Sequence, residues 1–160
     1  MTETYDRILG LRALRQFQDR PIEENDLARI LEAARWTGSS KNRQNWSFVL
    51  VRDPEMIERL ADCGDFTTPI RNAPATLALV QEAEGYEFDT GRLAQNVMLA
   101  ADAIGVASCP ITLHRDDQAA QVLGLPDGAR CRYAVALGYP AQAASPGKMG
   151  GRKPMAELLH

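Results

Sequence analysis

The sequence has few of the residues that mark metal-binding and disulfide-rich proteins. Its 160 residues include three cysteines and two histidines. The cysteines, Cys63, Cys109 and Cys131, are an odd number at wide spacings and form no CxxC pair. This pattern favours neither a disulfide framework nor a zinc site. We therefore expect structural thiols, no metal centre and a reducing compartment.

The sequence also lacks the charge and the long apolar runs that other classes need. The formal net charge is −3, which disfavours binding to nucleic acid or to an anionic membrane, since both need a basic face. Nowhere do about 18 apolar residues follow one another, and the start MTETYD has no signal-peptide pattern. With 45% hydrophobic and 24% charged residues, the chain is typical of a folded protein. We expect one cytoplasmic domain over residues 1–160.

Helical and strand patterns alternate along the chain. In EENDLARILEAARW, apolar residues recur at helical spacing, which predicts an amphipathic helix. A polar loop, GSSKNRQN, follows, and WSFVLV then predicts a strand buried on both faces. Asp53-Pro54 is typical of a helix start. Further strands are predicted at 74–80, 106–111 and 131–138, and further helices at 89–104, at 116–123 and, as a short terminal helix, after Pro154.

Three polar clusters remain outside the predicted core. In RALRQF, Arg12 and Arg15 are expected to straddle the point where the first helix gives way to an extended segment. SSKNRQN begins at Ser39, and GRKP carries Arg152 and Lys153. Arginine forks could bind one anion together, yet most arginines and lysines are surface charges. The loop could equally be held by its own Asn and Ser capping bonds. Composition leaves both alternatives open.

The order of these clusters resembles that of the FMN-dependent nitroreductase family. The matching segments, which cover nearly the whole chain, are RALRQF, LARILEAARW, GSSKNRQNWSFVLV, AQNVMLAADAIGVASCPI, LPDGARCRYAVALGYP and GRKPMAELL. The resemblance implies an α+β fold of the nitroreductase type, with a central, mainly antiparallel sheet flanked by helices. It also implies a homodimer with two FMN sites at the interface.

The resemblance also implies which residues hold FMN. Arg12 and Arg152 would lie near its phosphate, Arg15 near the pyrimidine edge of the ring, and the Pro110–Thr112 segment beside the ring near N5. The loop from Ser39 would reach the flavin of the neighbouring subunit. The implied cofactor-binding residues are Arg12, Ala13, Arg15, Ser39, Ser40, Asn42, Gln44, Pro110, Thr112, Arg152 and Lys153.

The implied activity is transfer of hydride from NAD(P)H through the flavin to a nitroaromatic, quinone or enone. The cofactor carries this chemistry, so no catalytic side chain is predicted. The sequence departs from the family pattern at five positions: Leu11, Ala13, Gly38, Asn45 and Gly150. These departures leave two alternatives: a flavin-binding or flavin-sequestering protein with little turnover, or an offshoot that degrades flavin or dehalogenates. No pattern distinguishes NADH from NADPH, because a GxGxxG motif is absent.

Overall fold

The helices and strands follow the alternation that the sequence predicts. The computed structural model describes residues 3–142 and 151–159; Gly150 lies outside them. The helices are α1 (Glu3–Gly10), α2 (Glu24–Arg35), α3 (Pro54–Ala61), α4 (Thr68–Arg71), α5 (Glu87–Ala103) and α6 (Asp116–Val122). The strands are β1 (Trp46–Val51), β2 (Ala75–Gln81), β3 (Ala107–Thr112) and β4 (Arg130–Gly138), with 3₁₀ turns at Ser40–Asn42 and Met155–Glu157.

Local chemistry sets two of the helix boundaries. The Asp53 carboxylate accepts a hydrogen bond from the Met56 N–H at 2.9 Å, and Pro54 is the first residue of α3. This satisfies one of the amide groups that a helix start leaves free. At the other boundary, Gly105 follows α5 with φ of 77°, a left-handed conformation that glycine adopts without steric cost. Both boundaries were predicted and are confirmed.

The sheet has the strand order β1-β2-β4-β3, and every neighbouring pair is antiparallel. The predicted antiparallel sheet is therefore confirmed. β2 and β4 lie in the centre, and every residue of Ala75–Val80 is buried. β1 and β3 form opposite edges of the sheet.

Helices cover both faces of the sheet. On one face, α2 and α5 pack with Leu27, Leu93 and Val97 against apolar residues of β2 and β4. On the other face, α3, α4 and α6 pack against alternate residues of the same strands. Since successive side chains of a strand point to opposite faces, the continuous apolar runs of β2 and β4 supply both cores.

Three predictions about individual elements were wrong. β1 is an edge strand whose Ser47 is exposed and whose residues 48–50 are half-buried, so it is not buried on both faces. Arg12 and Arg15 both follow the end of α1 at Gly10 and do not straddle it. The terminal helix is a single 3₁₀ turn, Met155–Glu157.

The three cysteines are buried and free. Burial raises the pKa of all three thiols, and that of Cys131 to about 12. They are therefore protonated at neutral pH, as expected of structural thiols. Over residues 3–142 and 151–159, none of the helices has the length and apolar character to cross a bilayer.

Candidate functional site

The segment that follows α1 brings the two predicted flavin-binding arginines to the outer edge of β3. The Leu14 N–H donates to the Ser108 carbonyl at 3.0 Å, and the Gln18 N–H donates to the Tyr139 carbonyl at 2.8 Å. Arg15 is close enough to β3 to act on Cys109: burial raises the pKa of this thiol, and the Arg15 guanidinium opposes that rise. The structure thus places Arg15 near the Pro110–Thr112 segment.

Arg12 and Ala13 have different surroundings from Arg15. The Arg12 guanidinium donates to the carbonyls of Leu9 and Leu11, each at 2.8 Å, and so turns back toward the end of α1. Ala13 is half-buried and packs against the core under α3 and α6. A side chain at position 13 therefore contributes to packing even without the hydroxyl that the family pattern places there.

A groove of about 300 Å³ lies between the outer strand β3 and the first half of α5. Pro110 and Thr112 form part of one wall, and Thr90 and Ala94 form part of the other. Tyr133 closes the groove from β4, directly opposite Thr112 in the strand register. With alanine and proline in its walls, the groove suits a flat, largely apolar ring.

The loop that begins at Ser39 is held in shape by its own hydrogen bonds. The Ser39 hydroxyl accepts from the Gln44 N–H at 2.8 Å, and the Gln44 side-chain amide donates to the Asn42 side-chain oxygen at 3.1 Å. Lys41, Asn42 and Gln44 all have φ near 53°, which is uncommon outside glycine. The capping alternative therefore explains the internal bonds, but not why three residues are held in a costly conformation.

Helix α5 braces the start of this loop. The Arg92 guanidinium donates to the Gly38 carbonyl at 2.7 Å, and the Asn96 amide donates to the Thr37 hydroxyl at 3.0 Å. A Cβ atom at Gly38 would lie 2.9 Å from the Arg92 guanidinium, so the arginine would have to shift. The family often has proline at this position; here, Gly38 leaves room for the Arg92 guanidinium.

Within one chain, the loop and the strand that lines the groove belong to opposite edges of the sheet, although α5 reaches both. The loop leads into β1, whereas Pro110 and Thr112 belong to β3 at the opposite edge, three strand spacings or about 14 Å away. None of the described hydrogen bonds joins the loop to Arg12, Arg15 or β3. Arg152 and Lys153 are exposed, and none of the described hydrogen bonds ties them to the groove. The predicted site residues therefore form one cluster near β3 and two separate groups, which are the loop from Ser39 and the pair Arg152 and Lys153.

Comparison with known protein families identifies the family of this chain. The model of the Nitroreductase family matches residues 8–84 and 68–139, most of the chain. The chain belongs to the nitroreductase family. The predicted family is thereby confirmed.

Individual relatives match this nitroreductase-family chain over most of its length, and two of them are longer than it. A protein of Archaeoglobus fulgidus whose name pairs NADH dehydrogenase with NAD(P)H nitroreductase is 28% identical over 88% of this chain and 87% of its own. Nitroreductase A of Vibrio parahaemolyticus is 27% identical, with a TM-score of 0.88 over 100% of this chain and 76% of its own. The NADPH:FMN oxidoreductase of Vibrio harveyi, solved with NAD⁺, is 25% identical with a TM-score of 0.87 over 99% and 76% of the two chains. The nitroreductase-type fold is confirmed.

Sequence reasoning missed several residues that line or border the groove of this nitroreductase-family chain. Thr90 and Ala94 were assigned to a helix without a role, and Tyr133 to a core strand. Tyr133 is half-buried, and its hydroxyl donates to Glu87 at 2.5 Å. The sequence held one signal for Tyr133: it lies at the polar end of the otherwise apolar strand CRYAVALG. Its pairing with Thr112 could not be inferred without the strand order.

Proposed function

We propose that this chain is an FMN-dependent oxidoreductase that passes hydride from NAD(P)H, through the flavin, to a nitroaromatic, quinone or enone. The proposal is carried by the hydrogen bond from the Leu14 N–H to the Ser108 carbonyl. This bond joins the segment that bears Arg12 and Arg15 to β3, the strand that bears Pro110 and Thr112. Family membership and the names of the Vibrio harveyi and Archaeoglobus fulgidus relatives support FMN and a nicotinamide donor.

The residues around the groove fit a flavin. Pro110 and Ala94 offer apolar wall for a planar ring, and Arg15 lies on the segment bonded to the same strand, β3. When bound, FMN supplies the two-electron chemistry, which few side chains could perform. Arg15 would supply positive charge that stabilises negative charge on the reduced ring. Arg12, whose guanidinium bonds carbonyls of its own segment, can exchange these bonds for a phosphate fork.

Arg152 and Lys153 complete the proposed phosphate site. Both are exposed, and both lie in the short described stretch 151–159. An exposed guanidinium and an exposed ammonium can both donate hydrogen bonds to a phosphate. This assignment to the phosphate stays a prediction.

The proposed functional unit is a homodimer. The polar loop leads into β1, at the opposite edge of the sheet from β3, and its Ser39, Ser40, Asn42 and Gln44 would serve a flavin held mainly by a second copy. Apolar side chains on α1 support a face that a second copy of the chain covers. Tyr5, Ile8 and Leu9 are each about half exposed. Trp36, 73% exposed at the end of α2, extends this face. The proposed compartment is the cytoplasm, whose reducing conditions suit three free thiols.

A visible spectrum tests the flavin proposal directly. Purified protein, after incubation with FMN and removal of the excess, should show flavin absorption that bleaches on anaerobic addition of NADH or NADPH. Steady-state oxidation of the donor should then require a quinone or nitroaromatic. Protein that stays colourless would overturn the proposal. Bound flavin that is reduced without acceptor turnover would instead favour the sequestering alternative, and altered flavin in the products would favour the degrading one.

A further inference from the structure

One hydrogen bond joins the side chain that closes the groove to the helix that forms one of its walls. The Tyr133 hydroxyl donates to the Glu87 carboxylate at 2.5 Å. Tyr133 belongs to β4, and Glu87 is the first residue of α5, 46 positions earlier in the chain. The bond therefore holds β4 and the start of α5 together beside the groove.

A β-bulge in β4 turns Tyr133 toward α5. In a regular strand, residues two apart point to the same face. Cys131 and Tyr133 do not, because Cys131 is buried in the core under α3, α4 and α6, whereas Tyr133 packs against the core under α2 and α5. Leu79 pairs with Tyr133 and Gln81 pairs with Arg130, so β4 holds one extra residue at this point. Bulges often re-aim a side chain beside a functional site.

Packing alone does not hold the Tyr133 ring in this position. Tyr133 and Thr90 line the groove and also a smaller cavity of about 90 Å³, which Arg132 borders. The ring thus separates two spaces, and neither supplies the close packing that fixes a core side chain. The Arg132 guanidinium lies 5.9 Å from the ring centre, at the outer limit of a cation–π contact. The bond to Glu87 is therefore the main restraint on the ring.

Glu87 is well placed to hold the tyrosine. It lies in the first turn of α5, where the free N–H groups of a helix start favour a carboxylate. The hydrogen bond to Glu87 raises the pKa of Tyr133, so the hydroxyl keeps the proton that it donates. The Arg132 Nε atom lies 3.9 Å from the same Glu87 oxygen, which is beyond hydrogen-bond range. Arg132 therefore does not displace the tyrosine from this oxygen.

The position of Tyr133 in the groove is one that a bound ring would meet. Pro110 and Thr112 lie in one wall and Ala94 in the other, and Tyr133 pairs with Thr112 in the strand register. Among the described residues that line the groove, Tyr133 is the only aromatic one. Aromatic rings attract one another in offset or edge-to-face arrangements. A flavin in the groove would find its aromatic partner in Tyr133.

We propose that Tyr133 contacts the flavin ring and that Glu87 holds Tyr133 in place for this contact. The inference rests on the function proposed above. Tyr133 is a cofactor-binding residue, and Glu87 is a positioning residue that acts through it. Neither residue is among those that the family pattern implies, and neither takes part in hydride transfer.

Flavin binding by the full chain tests the inference without turnover. Apoprotein is titrated with FMN, and both the dissociation constant and the fluorescence of the bound flavin are measured. An electron-rich phenol in contact with oxidised flavin quenches its fluorescence. Tyr133→Leu should therefore increase the fluorescence of the bound flavin and weaken FMN binding by about two- to tenfold, in line with the loss of one aromatic contact.

Smaller changes test the role of Glu87. Tyr133→Phe keeps the ring and removes the hydroxyl, and Glu87→Ala removes the acceptor. Each should weaken FMN binding by about two- to fivefold, as expected for the loss of one hydrogen bond, and Glu87→Ala should also increase the flavin fluorescence. The double variant Tyr133→Phe/Glu87→Ala should bind FMN about as well as either single variant, since both changes break the same bond. Glu87→Gln keeps an oxygen acceptor and should retain the parent affinity within about twofold.

Tyr139→Phe is the matched control for the loss of a tyrosine hydroxyl. The Tyr139 hydroxyl donates to Asp26 at 2.7 Å, and neither residue lines the groove. This change should lower stability but leave FMN affinity within about twofold of the parent and the flavin fluorescence unchanged.

The outcomes separate this inference from the proposed function. Parent-like FMN affinity and fluorescence in Tyr133→Leu would overturn the contact. Parent-like affinity in Glu87→Ala beside weaker binding in Tyr133→Phe, or additive losses in the double variant, would overturn the positioning role. If the leucine variant does not fold, parent-like affinity and fluorescence in Glu87→Ala, a change at an exposed residue, would overturn both parts. A parent protein that binds no flavin would refute the proposed function and this inference with it.

Discussion

Two glycines should respond in opposite directions to the same substitution, and the reason is the space around them. A methyl group at Gly64 would lie 2.5 Å from Cγ2 of Thr67 and 2.9 Å from the Thr112 carbonyl oxygen. Thr67 is buried, and its hydroxyl is bonded to Ala61, so its side chain cannot turn away freely. A methyl group at Gly91, within α5, would meet no described atom beyond its own helix backbone within 4 Å. Gly64→Ala therefore overpacks, whereas Gly91→Ala fills open space.

The expected magnitudes follow from these surroundings. Overpacking of a well-packed site costs about 1–3 kcal/mol in the free energy of unfolding. For a chain of this length, 1 kcal/mol shifts Tm by about 2–4 °C, so Gly64→Ala should lower Tm by about 2–12 °C. Gly91→Ala replaces a helix-interior glycine and should add about 0.5–1 kcal/mol, which raises Tm by about 1–4 °C.

Thermal unfolding by circular dichroism, with urea unfolding as a second measure, tests both substitutions on the same preparation. The parent protein and Gly91→Ala serve as references for Gly64→Ala. The reasoning fails if Gly64→Ala unfolds within about 1 °C of the parent, because the close approach of Gly64 to Thr112 would then be absent. A fall in Tm for Gly91→Ala would show that the groove beside α5 is not open.

Four other predictions concern the cofactor, the dimer and pH. Arg152→Ala should weaken FMN binding by about 1.5–3 kcal/mol with little change in flavin potential, measured by FMN titration and redox titration; equal affinity would remove Arg152 from the phosphate site. Arg15→Ala should lower the two-electron potential by about 30–60 mV in the same redox titration, and an unchanged potential would leave Arg15 a structural role. Asn42→Gly removes the side-chain amide without adding backbone strain at φ of 53°, and it should weaken FMN binding. Sedimentation of the parent protein, followed at protein and flavin wavelengths, should find flavin with dimers and not with monomers. Monomers with full flavin occupancy would contradict the shared site. The Arg130 guanidinium holds the pKa of Asp116 below its ordinary value, so this pair stabilises the fold above about pH 4 and loses its effect as pH falls through the lowered pKa. Asp116→Asn should therefore cost about 0.5–1 kcal/mol in urea unfolding at pH 7 and less at pH 3; an equal cost at both would rule out the ion pair as the cause.

Structural features that depend only on residues close in sequence were predicted best. The Asp53 cap, the Gly105 stop and the buried face of α2 depend on neighbours within one or two turns, and all agree with the structure. The reading of β1 failed because periodicity does not reveal which strands end up at an edge. An edge position leaves Ser47 exposed although the strand reads as continuous apolar sequence.

The same limit applied to the candidate site. The family pattern pointed to Arg15 and to the segment from Pro110 to Thr112, and the structure places them near one another through the bond between Leu14 and Ser108. The place of Tyr133 in the groove could not be predicted, because this residue lies opposite Thr112 only through the pairing of β3 with β4, which no local pattern encodes.

The outer border of β3 has a consequence for solubility. Ser108, Pro110 and Thr112 direct their backbone groups away from β4, and each is blocked in a different way. Leu14 bonds the Ser108 carbonyl, proline has no N–H to offer at position 110, and Gly64 lies against the Thr112 carbonyl. A strand from another molecule needs a row of free amides and carbonyls to pair with. β3 offers no such row, so the chain is protected on this side from the edge-to-edge growth that leads to aggregates.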